Sequence, residues 1–254
     1  MKISLMWPTR KRTSELIFSL SSFIQRAEDN SNVEYIVVID PDDFETSKAL
    51  ENITPMAYCY DAELTCLTSD KRYGYQELEQ YQNQAGKVFS GECFFICNDD
   101  LICLSDNWDT EFRKSLKLVK DTPSWIGLSP LNEKWKGNTT FVGINRKWYE
   151  ITNRISGTRA TDGYLPIVAK NTGILPVHPD VKLLHLQRGK NIMEYHDDNT
   201  GENRVIFGLP NDDTAAGYNS KNPIPPKYEF HEGIGKQRIE EDVTNLLKWK
   251  KENE

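Results

Sequence analysis

Phe94-Phe95-Ile96-Cys97-Asn98-Asp99-Asp100 decides how this 254-residue chain is read. Its four apolar residues show no polar alternation, which marks a strand covered on both faces, and they run directly into an amide and two carboxylates. Tyr35-Ile36-Val37-Val38-Ile39 repeats the pattern as a central parallel strand, closed by Asp40-Pro41-Asp42-Asp43. Residues 3–7 give another strand, stopped by Pro8. Thr9-Arg10-Lys11-Arg12 then leads into a helix, capped by Thr13 or Ser14, in which Leu16, Leu20, Phe23 and Ala27 recur at helical spacing. Strand, loop, helix and strand form a βαβ unit, so the expected class is α/β. Ligands of open α/β sheets bind outside the carboxyl ends of the parallel strands. Those ends here carry Pro8-Thr9-Arg10, Asp40 and Asn98-Asp99-Asp100.

Working outward, helical spacing predicts helices near 76–84, 148–155 and 164–169. Another follows the capping pair Asp106-Asn107, with Trp108, Phe112, Leu116 and Val119 on one face. Short strands are predicted at 125–128, 140–144 and 181–186. Residues 208–226 are rich in Asn, Asp, Gly, Ser and Pro and read as a mobile lid or linker. Ile239, Val243, Leu246 and Leu247 share one face of a terminal helix. No internal repeat is present. Trp125, Trp135 and Trp148 read as core or sheet-covering residues.

Composition narrows the class. Hydrophobic residues at 38% supply a core, and a mean hydropathy of -0.62 excludes membrane-embedded and collagenous chains. With 31 Lys and Arg against 38 Asp and Glu, the net charge of -7 offers no field to hold a polyanion. The apolar runs are too short to span a bilayer, and the N-terminal one is too short for a signal peptide, so no membrane span and a cytoplasmic location are expected. Cys59, Cys66, Cys93, Cys97 and Cys103 contain no C-x-x-C pair and are expected as reduced, buried thiols rather than zinc ligands.

A carboxylate pair at a strand end can hold a hard divalent cation, which neutralises a diphosphate, while a basic loop takes the remaining charge. Asn98-Asp99-Asp100 beside Arg10-Lys11-Arg12 therefore suggests a nucleotide-diphosphate substrate. From about residue 3 to residue 197 the chain resembles the cytoplasmic GT-A glycosyltransferases of the family 2 type. Pro8-Thr9-Arg10-Lys11-Arg12 is similar to the family's P-T-R-x-R opening, which implies nucleotide contacts from Pro8, Thr9, Arg10 and Arg12. Asp40 resembles the acid that reads the base, and Arg72-Tyr73-Gly74-Tyr75 with Asn83 and Gly91 resembles the stretch lining the nucleotide. Asn98-Asp99-Asp100 resembles the D-x-D metal motif, with Asn in its first position. The resemblance implies Asp99 as a ribose or metal contact and Asp100 as the ligand of Mn²⁺ or Mg²⁺. Ala160-Thr161-Asp162-Gly163-Tyr164 resembles the acceptor-side acidic motif with Thr161 where a Glu usually stands, and implies Asp162 as catalytic base. His185 is similar to a late metal-binding histidine, with His178 and His196 as competitors.

The residues also admit plainer readings. Asn98-Asp99-Asp100 and Asp40-Pro41-Asp42-Asp43 can be turns, Arg10-Lys11-Arg12 a solvated loop, Asp162 a helix N-cap and His185 a core histidine. The expected fold is a GT-A, Rossmann-like α/β domain over 1–207, with a mostly parallel central sheet, a nucleotide-binding half to about 105 and an acceptor half beyond. A lid over 208–226 and a C-terminal helical segment over 227–254 are expected to follow. The implied activity is metal-dependent hexosyl or pentosyl transfer, inverting, from a nucleotide-sugar donor, UDP-sugar favoured. The acceptor hydroxyl is left open among a glycan, a small molecule, a protein and a modified DNA base. The alternatives are a nucleotidyltransferase acting on sugar phosphates, against which the glycine-free stretch from Pro8 to Arg12 argues, and a non-catalytic nucleotide-sugar binding module.

Overall fold

The parallel half of the sheet is built as the apolar runs predict. In the computed structural model, which describes residues 1–132, 140–186, 192–197, 202–207 and 233–253, β1 is Ile3–Thr9, β2 is Val33–Ile39 and β4 is Cys93–Ile96. Between them lie α1 (Thr13–Arg26), α2 (Phe44–Cys59), β3 (Glu63–Thr68) and α3 (Leu78–Gly86). β5 (Leu101–Cys103), α4 (Trp108–Lys117), β6 (Trp125–Leu128), β7 (Phe141–Asn145), α5 (Arg146–Thr152) and α6 (Thr161–Thr172) follow. The last elements are β8 (Pro176–Val177), β9 (Leu183–His185), the hairpin of β10 (Ile192–Asp197) and β11 (Glu202–Phe207), and α7 (Gly233–Asn253).

Seven strands make the central sheet in the order β3-β2-β1-β4-β7-β6-β8. The first four are parallel, β7 runs antiparallel to β4 and β6, and β8 is parallel to β6. Register sets the functional end of the sheet. Thr9 pairs with Ile39 and Met6 with Ile96, and the Cys97 amide donates to the Met6 carbonyl at 2.7 Å, so β1, β2 and β4 finish side by side. Gly143 is required where β7 meets β4, because a Cβ there would stand 2.4 Å from the Phe94 carbonyl oxygen.

Both faces of β1, β2 and β4 are covered, and their residues alternate between two cores. Ile3, Leu5 and Trp7 pack with Leu16, Leu20 and Phe23 of α1 and with Trp108 and Phe112 of α4. Met6, Ile36 and Val38 pack on the other face with Tyr81 of α3, Tyr164 and Val168 of α6, and Ile239 and Leu246 of α7. Glu34 sits in the buried run of β2 because Ser4 Oγ at 2.5 Å and the Ser90 amide at 2.9 Å satisfy it.

Several expectations need correction. α1 begins at Thr13 itself, with Arg12 at the N-cap and no side-chain capping bond, and the α4 N-cap Asn107 is left-handed and likewise makes none. The strand expected over 181–186 is reduced to β9, which leaves the central sheet and pairs antiparallel with β5. Cys59 and Cys66 are exposed, and Cys93, Cys97 and Cys103 are buried, all as free thiols. Leu247 is 45% exposed, outside the stripe that docks α7. Trp125 and Trp148 are buried, whereas Trp135 and the lid expected over 208–226 lie outside the described residues. Among the described residues no helix is long and apolar enough to cross a membrane.

Candidate active site at the carboxyl ends of the parallel strands

Asp99 and Asp100 form the turn that carries β4 into β5, and that turn is held from below. Trp7 Nε1 donates to Ser19 Oγ at 2.9 Å, and Ser19 Oγ in turn donates to the carbonyls of Asn98 and Leu101. Both carboxylates are buried. Thr9 Oγ1 donates to Asp99 Oδ2 at 2.9 Å and Arg12 Nη1 to Asp99 Oδ1 at 3.1 Å, so the first loop of the chain is closed onto this acid. Burial raises the Asp99 pKa and the neighbouring Asp100 charge raises it further, against the opposing pull of Arg12 and Thr9.

Asp100 differs from its neighbour. Its Oδ1 is buried, meets no hydrogen-bond partner, and lies 3.3 Å from His185 Nε2. The register makes that approach: His185 pairs with Leu101, and the Leu186 amide donates to the Asp100 carbonyl at 2.8 Å. Asn132 fixes the His185 backbone through bonds of 2.7 and 3.1 Å, and Phe141 packs edge-on to the imidazole with ring centroids 5.2 Å apart. Neighbouring ligands of one octahedral dication at 2.0–2.1 Å stand roughly 3 Å apart, so this pair suits such an ion. Among the described residues no three His, Cys, Asp or Glu side chains form a metal cluster by themselves. One carboxylate and one imidazole fit a cation that takes its other ligands from water and substrate phosphate. The competitor His178 is bonded through Nδ1 to the Gly127 carbonyl at 2.7 Å, and the side chain of His196 lies outside the described residues.

Asp40 closes the β2 end. Arg10 Nη1 donates to its Oδ2 at 2.8 Å and also grips Asp42, with Nη2 to Oδ2 at 2.8 Å. The bond to Asp42, ahead of the pair with Asp40, raises Arg10 still further above its usual range and holds Asp42 down to about 2. The Tyr81 hydroxyl donates to Asp40 Oδ1 at 2.5 Å while accepting the amides of Tyr73 and Gly74, each at 2.9 Å. Burial, then that bond to Asp40, pushes Tyr81 up to about 12. This tyrosine had no signal in the sequence beyond a helical stretch, yet it links Asp40 to the backbone of the Arg72-Tyr73-Gly74-Tyr75 loop. The Lys11 amide, on a left-handed residue, donates to Asp43 Oδ2 at 2.7 Å, so the acidic turn after β2 folds the basic loop back on itself.

The remaining candidates are placed differently. Pro8 lies within β1, paired with Val38, and Arg72 is exposed on the loop after β3. Asn83 spends its side chain elsewhere: Oδ1 accepts the Ile155 amide at 2.8 Å and Nδ2 donates to the Ser156 carbonyl at 2.8 Å. It anchors the segment before α6. Asp162 is the second residue of α6 and is exposed, with Ala160 as the N-cap, so it is a first-turn acid and not a cap. Thr161, in the place of the family's Glu, is buried and donates to Gln82 Oε1 at 2.6 Å.

No family model matches the sequence, and no curated protein matches it. Among solved structures, S. aureus TarS 1-349 in complex with UDP-GlcNAc aligns at a TM-score of 0.44 and 16% identity, covering 55% of this chain and 38% of that one. The mannosyltransferase PcManGT from Pyrobaculum calidifontis, in complex with GDP-Man and Mn²⁺, aligns at 0.59 and 14% identity, covering 72% of this chain and 56% of its own. The chain has the fold of a GT-A glycosyltransferase. It spans little more than half the length of that mannosyltransferase. Within the GT-A fold, Asp40, Thr9 and Asp99-Asp100 stand at the carboxyl ends of three adjacent parallel strands.

Proposed function

We propose that this chain transfers a sugar from a nucleotide-diphosphate donor, a UDP-sugar in the favoured case, to an acceptor hydroxyl with inversion and with the help of Mn²⁺ or Mg²⁺. One observation carries the reading. Asp100 Oδ1 is buried, makes no hydrogen bond and stands 3.3 Å from His185 Nε2 at a strand end, close enough for the carboxylate and the imidazole to share one cation. The fold shared with a mannosyltransferase solved with GDP-Man and Mn²⁺ supports the same reading.

Asp100 and His185 would hold the cation, which supplies charge neutralisation for the departing diphosphate. Arg12 and Thr9 orient Asp99 for contact with the ribose or the cation, and Arg10 and Tyr81 hold Asp40 at the edge where the base would lie. Arg72, on the neighbouring loop, would contact the nucleotide. In the transfer step the acceptor oxygen bonds to the anomeric carbon as the bond from that carbon to the diphosphate oxygen breaks. Asp162 takes the acceptor proton.

A screen of UDP-, GDP- and dTDP-sugars with Mn²⁺ tests the proposal, read by release of nucleoside diphosphate and by the anomeric configuration of the product. Metal-dependent release with inversion is expected. Release of pyrophosphate from a nucleoside triphosphate and a sugar phosphate would make the chain a nucleotidyltransferase. Tight donor binding with no release, across acceptors of each class, would make it a binding module.

A further inference from the structure

Arg238 of helix α7 bonds the segment that precedes α6. Arg238 Nη1 donates to the Gly157 carbonyl at 2.6 Å and lies 3.4 Å from the buried Glu79 Oε1 of α3. The Tyr164 hydroxyl of α6 lies 2.5 Å from Asp242 Oδ2 and 3.2 Å from the Arg238 carbonyl. Arg154 pairs with Glu241 at 2.8 Å and with Asp242 at 3.1 Å. There is no spare room in this contact, since a Cβ on Gly157 would fall 2.6 Å from the Tyr164 ring and 2.8 Å from Arg238 Cβ.

The segment gripped in this way is irregular backbone, yet Ile155, Ser156, Gly157 and Thr158 are all buried. Buried irregular backbone persists only where its polar groups are met. Asn83 takes Ile155 and Ser156 from the α3 side, Ser156 Oγ donates to the Thr158 carbonyl at 2.7 Å, and Arg238 takes Gly157 from the α7 side. Arg159 then bonds Gln76 Oε1 at 2.9 Å, Thr161 bonds Gln82, and the next residue is Asp162. The backbone that leads into Asp162 therefore runs through a segment that α3 and α7 hold between them.

We propose that Arg238 is a positioning residue, which fixes residues 155–158 through the Gly157 carbonyl and so places Asp162 for the acceptor. The proposal rests on the reading of Asp162 as proton acceptor. Arg238 contacts neither the strand-end carboxylates nor the Arg10 loop, so its loss separates turnover from donor binding.

The test uses the full chain and the variants Arg238→Ala, Arg238→Lys and Gly157→Ala. UDP with Mn²⁺ is titrated by calorimetry, turnover of UDP-GlcNAc and GDP-mannose is followed, and hydrogen exchange is read over residues 155–163. Arg238→Ala and Gly157→Ala are expected to speed exchange over 155–158 by about tenfold or more. Turnover is expected to fall by about tenfold or more while UDP affinity stays within about twofold. Arg238→Lys, which keeps a donor for the Gly157 carbonyl, recovers most of the turnover. Unchanged exchange, or turnover and UDP affinity falling together, overturns the proposal, as does a Lys variant no better than the Ala variant. If the wild-type chain turns over neither donor, the catalytic reading fails, and the exchange arm alone then decides whether Arg238 holds the segment.

Discussion

Asp100, Asp162 and Tyr81 show how far a single side chain can be read. The strand-end position of Asp100 follows from the apolar run before it, whereas its approach to His185 depends on β9 pairing with β5, a contact between residues far apart in sequence. Asp162 is exposed on the first turn of α6, where its Oδ1 accepts the Gly163 amide at 3.1 Å. Asp162→Asn keeps that geometry and removes the proposed base, so turnover should fall by about 10² to 10⁴ while donor affinity is unchanged. A comparable loss of donor affinity would place Asp162 in the nucleotide site instead. Tyr81 was not legible at all, because nothing in a helical stretch marks one hydroxyl that serves an acid and two amides at once. Tyr81→Phe leaves the Tyr73 and Gly74 amides and one Asp40 oxygen without that partner, and chemical denaturation should report a loss of about 1–3 kcal/mol. A change within about 0.5 kcal/mol would mean that water replaces the hydroxyl.

Among the elements, α7 carries a pH dependence whose sign can be worked out. Burial, ahead of every contact, raises Asp242 from 3.8 to about 6. The groups facing it are the Tyr164 hydroxyl and Arg154, with Arg238 and Glu241 alongside on its own helix. A carboxyl that is a weaker acid in the folded chain than in the unfolded one stabilises most fully below about pH 4 and loses that contribution as pH rises through about 6. The melting temperature of the wild type relative to Asp242→Asn should therefore rise as pH is lowered from about 7 to 5. A difference that is flat across this range would show that Asp242 titrates like an exposed acid. Elements differ in legibility for physical reasons. β1, β2 and β4 are buried on both faces and so read as unbroken apolar runs. α2 shows only Leu50, Ile53 and Ala57 as its buried apolar stripe, with Pro55 inside the helix, and β3 is an edge strand of mixed exposure. Neither gave a usable pattern, although Asp43, which caps α2 by accepting the Thr46 amide, lay in the turn already noted.

In the whole molecule, two cores press on one sheet; β1 and β2 end level at Thr9 and Ile39, and β4 ends earlier, opposite Met6, so that the turn after it brings Asp99 to Thr9. The α/β class and the strand-end placement of Thr9, Asp40 and Asp99-Asp100 were legible because each depends on local runs and a general rule of parallel sheets. The crossing of α7 to α5 and α6 was not, since it is set by ion pairs and packing between distant segments such as Arg154 with Asp242. The central claim is that these strand ends form a cation-assisted site for a nucleoside diphosphate. Calorimetric titration of UDP and GDP into the wild type and Asp100→Ala, with Mn²⁺ and with EDTA, tests it most directly. The wild type should bind one of the two at least about tenfold more tightly with Mn²⁺ than with EDTA, because the diphosphate otherwise faces two buried acids. Asp100→Ala should lose that difference while keeping its melting temperature. Equal affinity with and without the cation in the wild type, or a collapsed melting temperature in Asp100→Ala, would contradict the claim.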